Sequence, residues 1–297
     1  MRHGLTILPE HAWPVAAPMW RAAEEMGFDH AWTYDHLVWS GLPNAPWMGA
    51  VPTLAAAAQV TASIGLGTFV SSPNYRHPYE FARDVLALHA VSGGRFRCGL
   101  GAGGTLDAGI LGQDLTVRER VDRFHEFVPL LDRLLREDHV DHAGAWYTTR
   151  DARTLPAPVR PEVPFVIAAN GPRSLRLAAR YGDGWVTTGA GGDDVEAWLA
   201  GVAGLCRRLD EAEAEVAAAD AMARRRRLDR YLSLDAGPVF ALSSVRLYAE
   251  LVGRAAELGF TDVITHWPRP DGPYAGSTSI LEQVAAQVLA PRPDRHT

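Results

Sequence analysis

Two cysteines in 297 residues are too few for a disulfide framework; Cys98 sits in a short apolar run and Cys206 in a helical pattern. A reducing cytoplasm is therefore the expected setting. No window approaches the ~18 apolar residues that a membrane span needs, and Met1 to Pro9 lacks the charged-then-apolar order of an export signal, so neither insertion nor export is expected. Basic charge is also short. The formal net charge is −6, which argues against general binding of nucleic acid or an anionic membrane, where a basic face would be expected. The one basic run, Arg224 to Arg227, follows an Ala/Glu-rich helical stretch and reads as a solvated helix face or turn, not a partner site. Nucleophile elbow, P-loop and paired-cysteine motifs are all missing, so hydrolase and kinase chemistry lack their parts. His139 and His142 stand close together without a further ligand set, and no metal is expected.

What the chain does have is an ordinary globular balance. With 47% hydrophobic and 22% charged residues, it should bury roughly three quarters of its unfolded surface. Strand-length apolar runs alternate with helix-length amphipathic segments: Leu5–Leu8, then a helix over Val15–Met26, then His30–Tyr34. The pattern repeats through helix Thr53–Thr61 into Ile64–Val70, and helix Tyr79–Val91 into Phe96–Leu100. A long helix over Arg118–Arg136 and a short excursion around Trp146 and Tyr147 precede strand Pro164–Ala168. Helix Arg173–Tyr181, strand Gly184–Thr188, helix Val195–Ala217, strand Tyr231–Leu234 or Val239–Leu242, helix Val245–Leu258 and strand Asp262–Thr265 complete the count. Alternation of this kind predicts a parallel sheet with helical crossovers. A closed barrel and an open doubly wound sheet share the pattern, and length favours one barrel domain over residues 1–290 with a frayed tail at 291–297.

Ligands of either architecture gather beyond the carboxyl ends of the strands. Four segments there are unusual. Tyr34-Asp35-His36 ends the second strand, and an imidazole with a pKa near 6.5 can exchange a proton at neutral pH. Gly67 to Pro78 is small and polar before a helix whose first turn suits proline. Gly99-Leu-Gly-Ala-Gly-Gly104 matches a dinucleotide fingerprint in form. The helix that should open at once is missing, as is the acidic residue ~20 positions on, which excludes a classical dinucleotide fold. Ala169-Asn-Gly-Pro-Arg-Ser174 runs from strand straight into helix, where free N–H groups make an anion site. Thr187-Thr188-Gly189 leaves the next strand beside it. Trp39, Tyr75 and Trp267 follow strands and are candidates for a substrate pocket, with core packing as the alternative for each.

These segments together resemble the bacterial luciferase-like flavin and deazaflavin oxidoreductases. The resemblance is carried by Glu25-Met-Gly-Phe-Asp-His-Ala-Trp32 leading to Asp35-His36, by Tyr75-Arg-His-Pro78, by Ser92 to Gly103, and by Asn170-Gly-Pro followed by Gly182-Asp-Gly-Trp185. It implies a (β/α)₈ barrel with insertions and a cis peptide joining Phe69 to Val70 beside the cofactor ring. By the same resemblance, Asp35, Phe69, Val70, Gly101, Ala102 and Gly103 meet the cofactor. Its phosphate is implied to lie on Asn170, Gly171, Pro172, Arg173 and Ser174 with Thr188 and Gly189 alongside. His36 matches the histidine that deazaflavin-dependent dehydrogenases set beside the reacting carbon. One departure stands out. Sugar-phosphate dehydrogenases of the family carry a glutamate in the fourth-strand loop, where this chain has Gly104. That argues against a sugar-phosphate substrate, and Asp107 is a replacement by position alone.

The resemblance implies reduced coenzyme F-420 as hydride donor to an activated double bond, with His36 exchanging a proton. A dehydroamino acid in a modified peptide is one such substrate, and a separate enzyme would re-reduce the cofactor. An FMN-dependent monooxygenase using dioxygen is the alternative, and a non-catalytic flavin-binding barrel a third reading. A homodimer is expected, as is common in the family.

Overall fold

Residues 1–154, 162–219 and 227–289 are described by the structure, a computed structural model. Arg224–Arg226 and the expected tail at 291–297 lie outside them. Eight parallel strands run in the order β1 (Arg2–Thr6), β2 (His30–Thr33), β3 (Gly65–Thr68), β4 (Phe96–Leu100), β7 (Phe165–Ala168), β8 (Gly184–Thr187), β9 (Asp229–Ser233) and β10 (Asp262–His266). The sheet is closed, because β10 pairs back onto β1 with Leu5 opposite Thr265. The barrel is thus observed, and the open sheet is excluded.

Helices α1 (Trp13–Glu25), α2 (Ala50–Val60), α3 (Pro78–Val91), α5 (Val117–Arg136), α6 (Pro172–Tyr181), α7 (Val195–Ala219) and α8 (Val245–Glu257) fall where the apolar periodicity sets them. Local chemistry fixes their starts. Pro78 opens α3 behind His77, and Thr116 with Glu119 forms a reciprocal cap on α5. Two short helices, α4 (Leu106–Ile110) and α9 (Thr278–Gln287), were not expected from the sequence. The excursion near Trp146 is an antiparallel hairpin, β5 (Val140–Ala143) and β6 (Thr148–Ala152). Its turn is held by Glu126, whose carboxylate accepts the N–H groups of Ala145, Trp146 and Tyr147 and meets His142. His139 pairs with Asp151. Of the two positions open for the ninth strand, Tyr231–Leu234 is the one used; Val239–Leu242 turns into a 3₁₀ segment at Ala241–Ser243.

The amino-terminal end of the barrel is polar and fully packed. Arg2 clasps Asp262 through two hydrogen bonds of 2.8 and 2.6 Å and reaches Asp229 at 2.7 Å. Asp262 also meets His30 Nε2 at 2.9 Å, while the Trp32 indole donates to His30 Nδ1 at 2.6 Å. An indole nitrogen only donates, so Nδ1 must accept and the His30 proton sits on Nε2. Burial holds His30 below its usual value. Room for these rings comes from glycine: a Cβ on Gly4 would stand 2.2 Å from the His30 ring, and one on Gly67 2.3 Å from Trp32. With this end sealed, the space left for a ligand is at the other. No helix among the described residues is long and apolar enough to cross a membrane.

Candidate active site

A cavity of about 430 Å³ lies at the carboxyl ends of the strands. Phe69, Val70, Ala168 and Val186 make an apolar floor; Asn170, Ser174 and Thr188 border one side, and Tyr34, His36, Trp39, Asp235 and Tyr274 the other. The Phe69–Val70 peptide is cis. Gly101 gives Val70 its place, since a Cβ there would come within 2.6 Å of Val70 Cγ2.

His36 stands two residues beyond Tyr34 and lines the cavity. Its Nδ1 lies 2.7 Å from Asp107 Oδ2, and Asp107 Oδ1 accepts the Leu37 N–H at 2.8 Å. Asp107 is 1% exposed. It arrives from the first turn of α4, which the Gly103-Gly104-Thr105 loop feeds. A carboxylate absent at position 104 is therefore supplied three residues later, as partner to His36. With Nδ1 tied to a buried carboxylate, Nε2 is the nitrogen left for chemistry.

Asp35 does not line the cavity. It is 2% exposed, and its oxygens receive the Arg76 guanidinium at 2.7 and 2.8 Å, the Ser71 hydroxyl at 2.5 Å and the Tyr75 hydroxyl at 2.5 Å. Tyr75 is accordingly drawn behind the strand ends and away from any substrate. Burial and the Asp35 charge push its phenol far up. Trp267 is also displaced from its expected place. Alternation along a strand sends neighbours to opposite faces, so with His266 inward Trp267 turns outward, into a separate pocket with Glu10, His11 and Arg269. Of the three aromatic candidates, Trp39 alone borders the cavity.

At the other side, Asn170 ties two loops together. Its Oδ1 accepts the Thr187 hydroxyl at 2.7 Å and its Nδ2 donates to the Gly189 carbonyl at 2.9 Å. Helix α6 opens at Pro172 behind Gly171, with no side-chain cap. Arg173 and Ser174 N–H groups thus have no helical acceptor. The Arg173 side chain turns away, to Asp122 at 2.6 Å. Gly101, Gly171, Pro172, Arg173 and Gly189 build the walls without lining the space itself, whereas Ala102, Gly103, Asn170, Ser174 and Thr188 do line it. Beneath Gly103, two buried oxygens, Ser72 Oγ and Asn74 Oδ1, have no protein partner.

Sequence reasoning missed a second set of groups. Asp235, just after β9, lies 2.8 Å from His266 Nδ1; His266 Nε2 is 2.8 Å from the Tyr34 hydroxyl, which is 3.0 Å from the Tyr274 hydroxyl. Burial holds the Tyr34 phenol well above its usual value, and Tyr274 is raised for the same reason. Both remain neutral hydroxyls near pH 7. Their signal was hidden because Asp235, His266 and Tyr274 belong to three separate segments, each unremarkable alone.

The description "luciferase-like monooxygenase" belongs to the family model that matches residues 2–229. The chain belongs to the luciferase-like family. Among its luciferase-like relatives, the F-420-dependent hydroxymycolic acid dehydrogenase of Mycobacterium tuberculosis is 35% identical over 190 residues, 62% of this chain and 51% of that protein. An F-420-dependent glucose-6-phosphate dehydrogenase of Intrasporangium calvum is 33% identical over 242 residues, 77% of this chain and 68% of that protein. The chain spans about half the length of the first of these relatives and two thirds of the second. In fold it is similar to an F-420-dependent secondary alcohol dehydrogenase solved with an F-420–acetone adduct, at TM-score 0.77 and 19% identity, covering 95% of this chain and 97% of that one.

The cavity's features fit a flavin-type cofactor. Its apolar floor of Phe69, Val70, Ala168 and Val186 matches a flat ring, and the uncapped start of α6 at Ser174 has the free N–H groups that suit a phosphate.

Proposed function

We propose that this chain is an F-420-dependent oxidoreductase that reduces an activated double bond, with His36 exchanging the proton. The observation that carries this reading is the His36–Asp107 pair facing an apolar, phosphate-ready cavity. Relatives named F-420-dependent at 33 to 35% identity support the choice of cofactor. When bound, the reduced deazaflavin would supply a hydride. Asn170, Ser174 and Thr188 would hold its phosphate side, and Val70 and Ala168 would bear the ring. His36 Nε2 delivers a proton to the substrate, and Asp107 keeps the ring oriented and balances its charge. A dehydroamino acid residue of a modified peptide belongs to this substrate class.

The deciding experiment is anaerobic titration of the protein with F-420 and with FMN, followed by fluorescence quenching. Selective F-420 binding, and reoxidation of the reduced form by an activated alkene, is the expected result. Selective FMN binding would replace this reading with dioxygen-dependent monooxygenation, and binding of neither would overturn the cofactor assignment.

A further inference from the structure

We propose that Tyr34 and Tyr274, backed by His266 and Asp235, form a second proton station that binds a carbonyl oxygen, so that the double bond reduced is one conjugated to an uncharged carbonyl, as in an enone. This rests on the reductase reading above and names the substrate class of the same site.

The geometry is a directed chain. Asp235 is fixed: its Oδ2 takes the Thr265 hydroxyl at 2.9 Å and the His266 N–H at 2.7 Å, and its Oδ1 takes the Ala241 N–H at 2.9 Å. His266 is 1% exposed, and with Nδ1 on Asp235 it presents only Nε2 to Tyr34. Each hydroxyl owns one proton, so the state of His266 sets the direction of the chain. When Nε2 is bare, Tyr34 donates to it and Tyr274 donates to Tyr34. When Nε2 carries a proton, Tyr34 accepts from it and donates to Tyr274, so that the Tyr274 hydroxyl proton is the one directed into the cavity.

Tyr274 is held for this task at some cost. Its φ of +62° lies in the left-handed region that bulky residues avoid. Arg269, paired with Glu10 at 2.7 and 3.0 Å, clamps that loop, and its backbone N–H donates to the Tyr274 carbonyl at 2.9 Å. The Tyr274 ring stacks on His266 at 3.7 Å between centroids, with Trp39 parallel to it at 5.9 Å.

Two stations on one cavity select the substrate. Reducing a ketone to an alcohol needs one proton, at oxygen. Reducing a conjugated double bond uses both: a hydride forms the new C–H bond at the β carbon, the alkene π pair shifts toward the carbonyl, and the enolate oxygen is held by the Tyr274 hydroxyl, which Tyr34 supports. The enolate then re-forms its C=O while the α carbon takes a proton from His36, which is restored from water. A hydride, which brings both electrons, and one proton are added, and the reduced deazaflavin is oxidised. Apart from tyrosines, the ionisable side chains lining the cavity among the described residues are His36 and Asp235; with the charge of His36 already balanced by Asp107, no arginine or lysine is there to pair an anionic substrate.

The test uses 2-cyclohexen-1-one. Its C=O infrared band, in the protein-bound state without cofactor, is expected at lower frequency than in the Tyr34→Phe and Tyr274→Phe proteins. With reduced F-420 under anaerobic conditions the product should be cyclohexanone, not an allylic alcohol. Each variant should lose about 10²-fold in kcat/KM, as when one oxyanion donor is removed, while F-420 quenching and the melting temperature stay near those of the parent. An unshifted band in the variants, the alcohol as product, or F-420 binding with no binding or reduction of the enone overturns the second station alone. Failure of the parent to bind F-420 overturns the reductase reading instead.

Discussion

At the scale of single residues, the proposed chemistry turns on which nitrogen of His36 is free. Asp107 occupies Nδ1, so removing the ring and removing its partner have different consequences. His36→Ala should lower kcat/KM for reduction by 10²- to 10⁴-fold, the usual worth of a positioned acid. Asp107→Asn should cost less, with F-420 affinity retained, and stopped-flow single turnovers of both proteins check the order. His36 was legible in the sequence because an ionisable ring followed a strand. Asp107 was visible only as a possibility, because its contact spans 71 positions and depends on a five-residue helix that sequence patterning did not reveal. Asp35 shows the reverse. Its place beside His36 suggests a ligand, yet Arg76, Ser71 and Tyr75 take its oxygens, and only the packing of three segments could show that.

At the scale of elements, the start of α6 sets one side of the cavity and the paired ends of β3 and β4 support its floor. An uncapped helix start attracts anions, and an acidic side chain in its first turn competes for the same field. Ser174→Asp should therefore leave the helix at least as stable and weaken F-420 binding 10-fold or more, read by fluorescence titration beside a melting curve. Unchanged affinity would place the phosphate elsewhere. Gly99 is a packing requirement of a different kind: a Cβ there would stand 1.8 Å from the Thr68 carbonyl oxygen, which is backbone and cannot swing aside. Gly99→Ala should cost more than the ~1–3 kcal/mol typical of overpacking, seen as a lowered urea midpoint. The helix start at Pro172 was readable because proline and glycine mark one in any context. The Gly-rich run after β4 misleads when matched to a dinucleotide motif, since its glycines answer to Thr68, Val70, Ser72 and Asn74 rather than to a pyrophosphate.

At the scale of the whole molecule, alternation revealed a parallel sheet but not its closure, because the residues that close it stand at opposite ends of the chain. The polar base they form also predicts a pH response. His3, hydrogen-bonded to the Tyr248 hydroxyl at 2.9 Å, is pushed down by burial to about 4 from its usual 6.5. The folded state keeps it neutral where the unfolded state takes up a proton, so stability is full above about 6.5 and falls as pH drops toward 4. His3 should make the protein about 2 kcal/mol less stable at pH 5 than at pH 7. Urea unfolding of the parent and His3→Gln at both values tests this, and the variant should show the shallower dependence.

The clasp of Arg2 on Asp262 joins positions 260 apart. Such a contact has nearly the greatest loop-closure entropy the chain can incur, and neighbouring βα units gain their own contacts first. Ring closure is thus expected to be a late folding event, and any intermediate before it carries two bare strand edges, β1 and β10. Those edges are each other's intended partners, so at high concentration the same strands in separate molecules can meet, and the route to the native ring is also the route to exchange between chains.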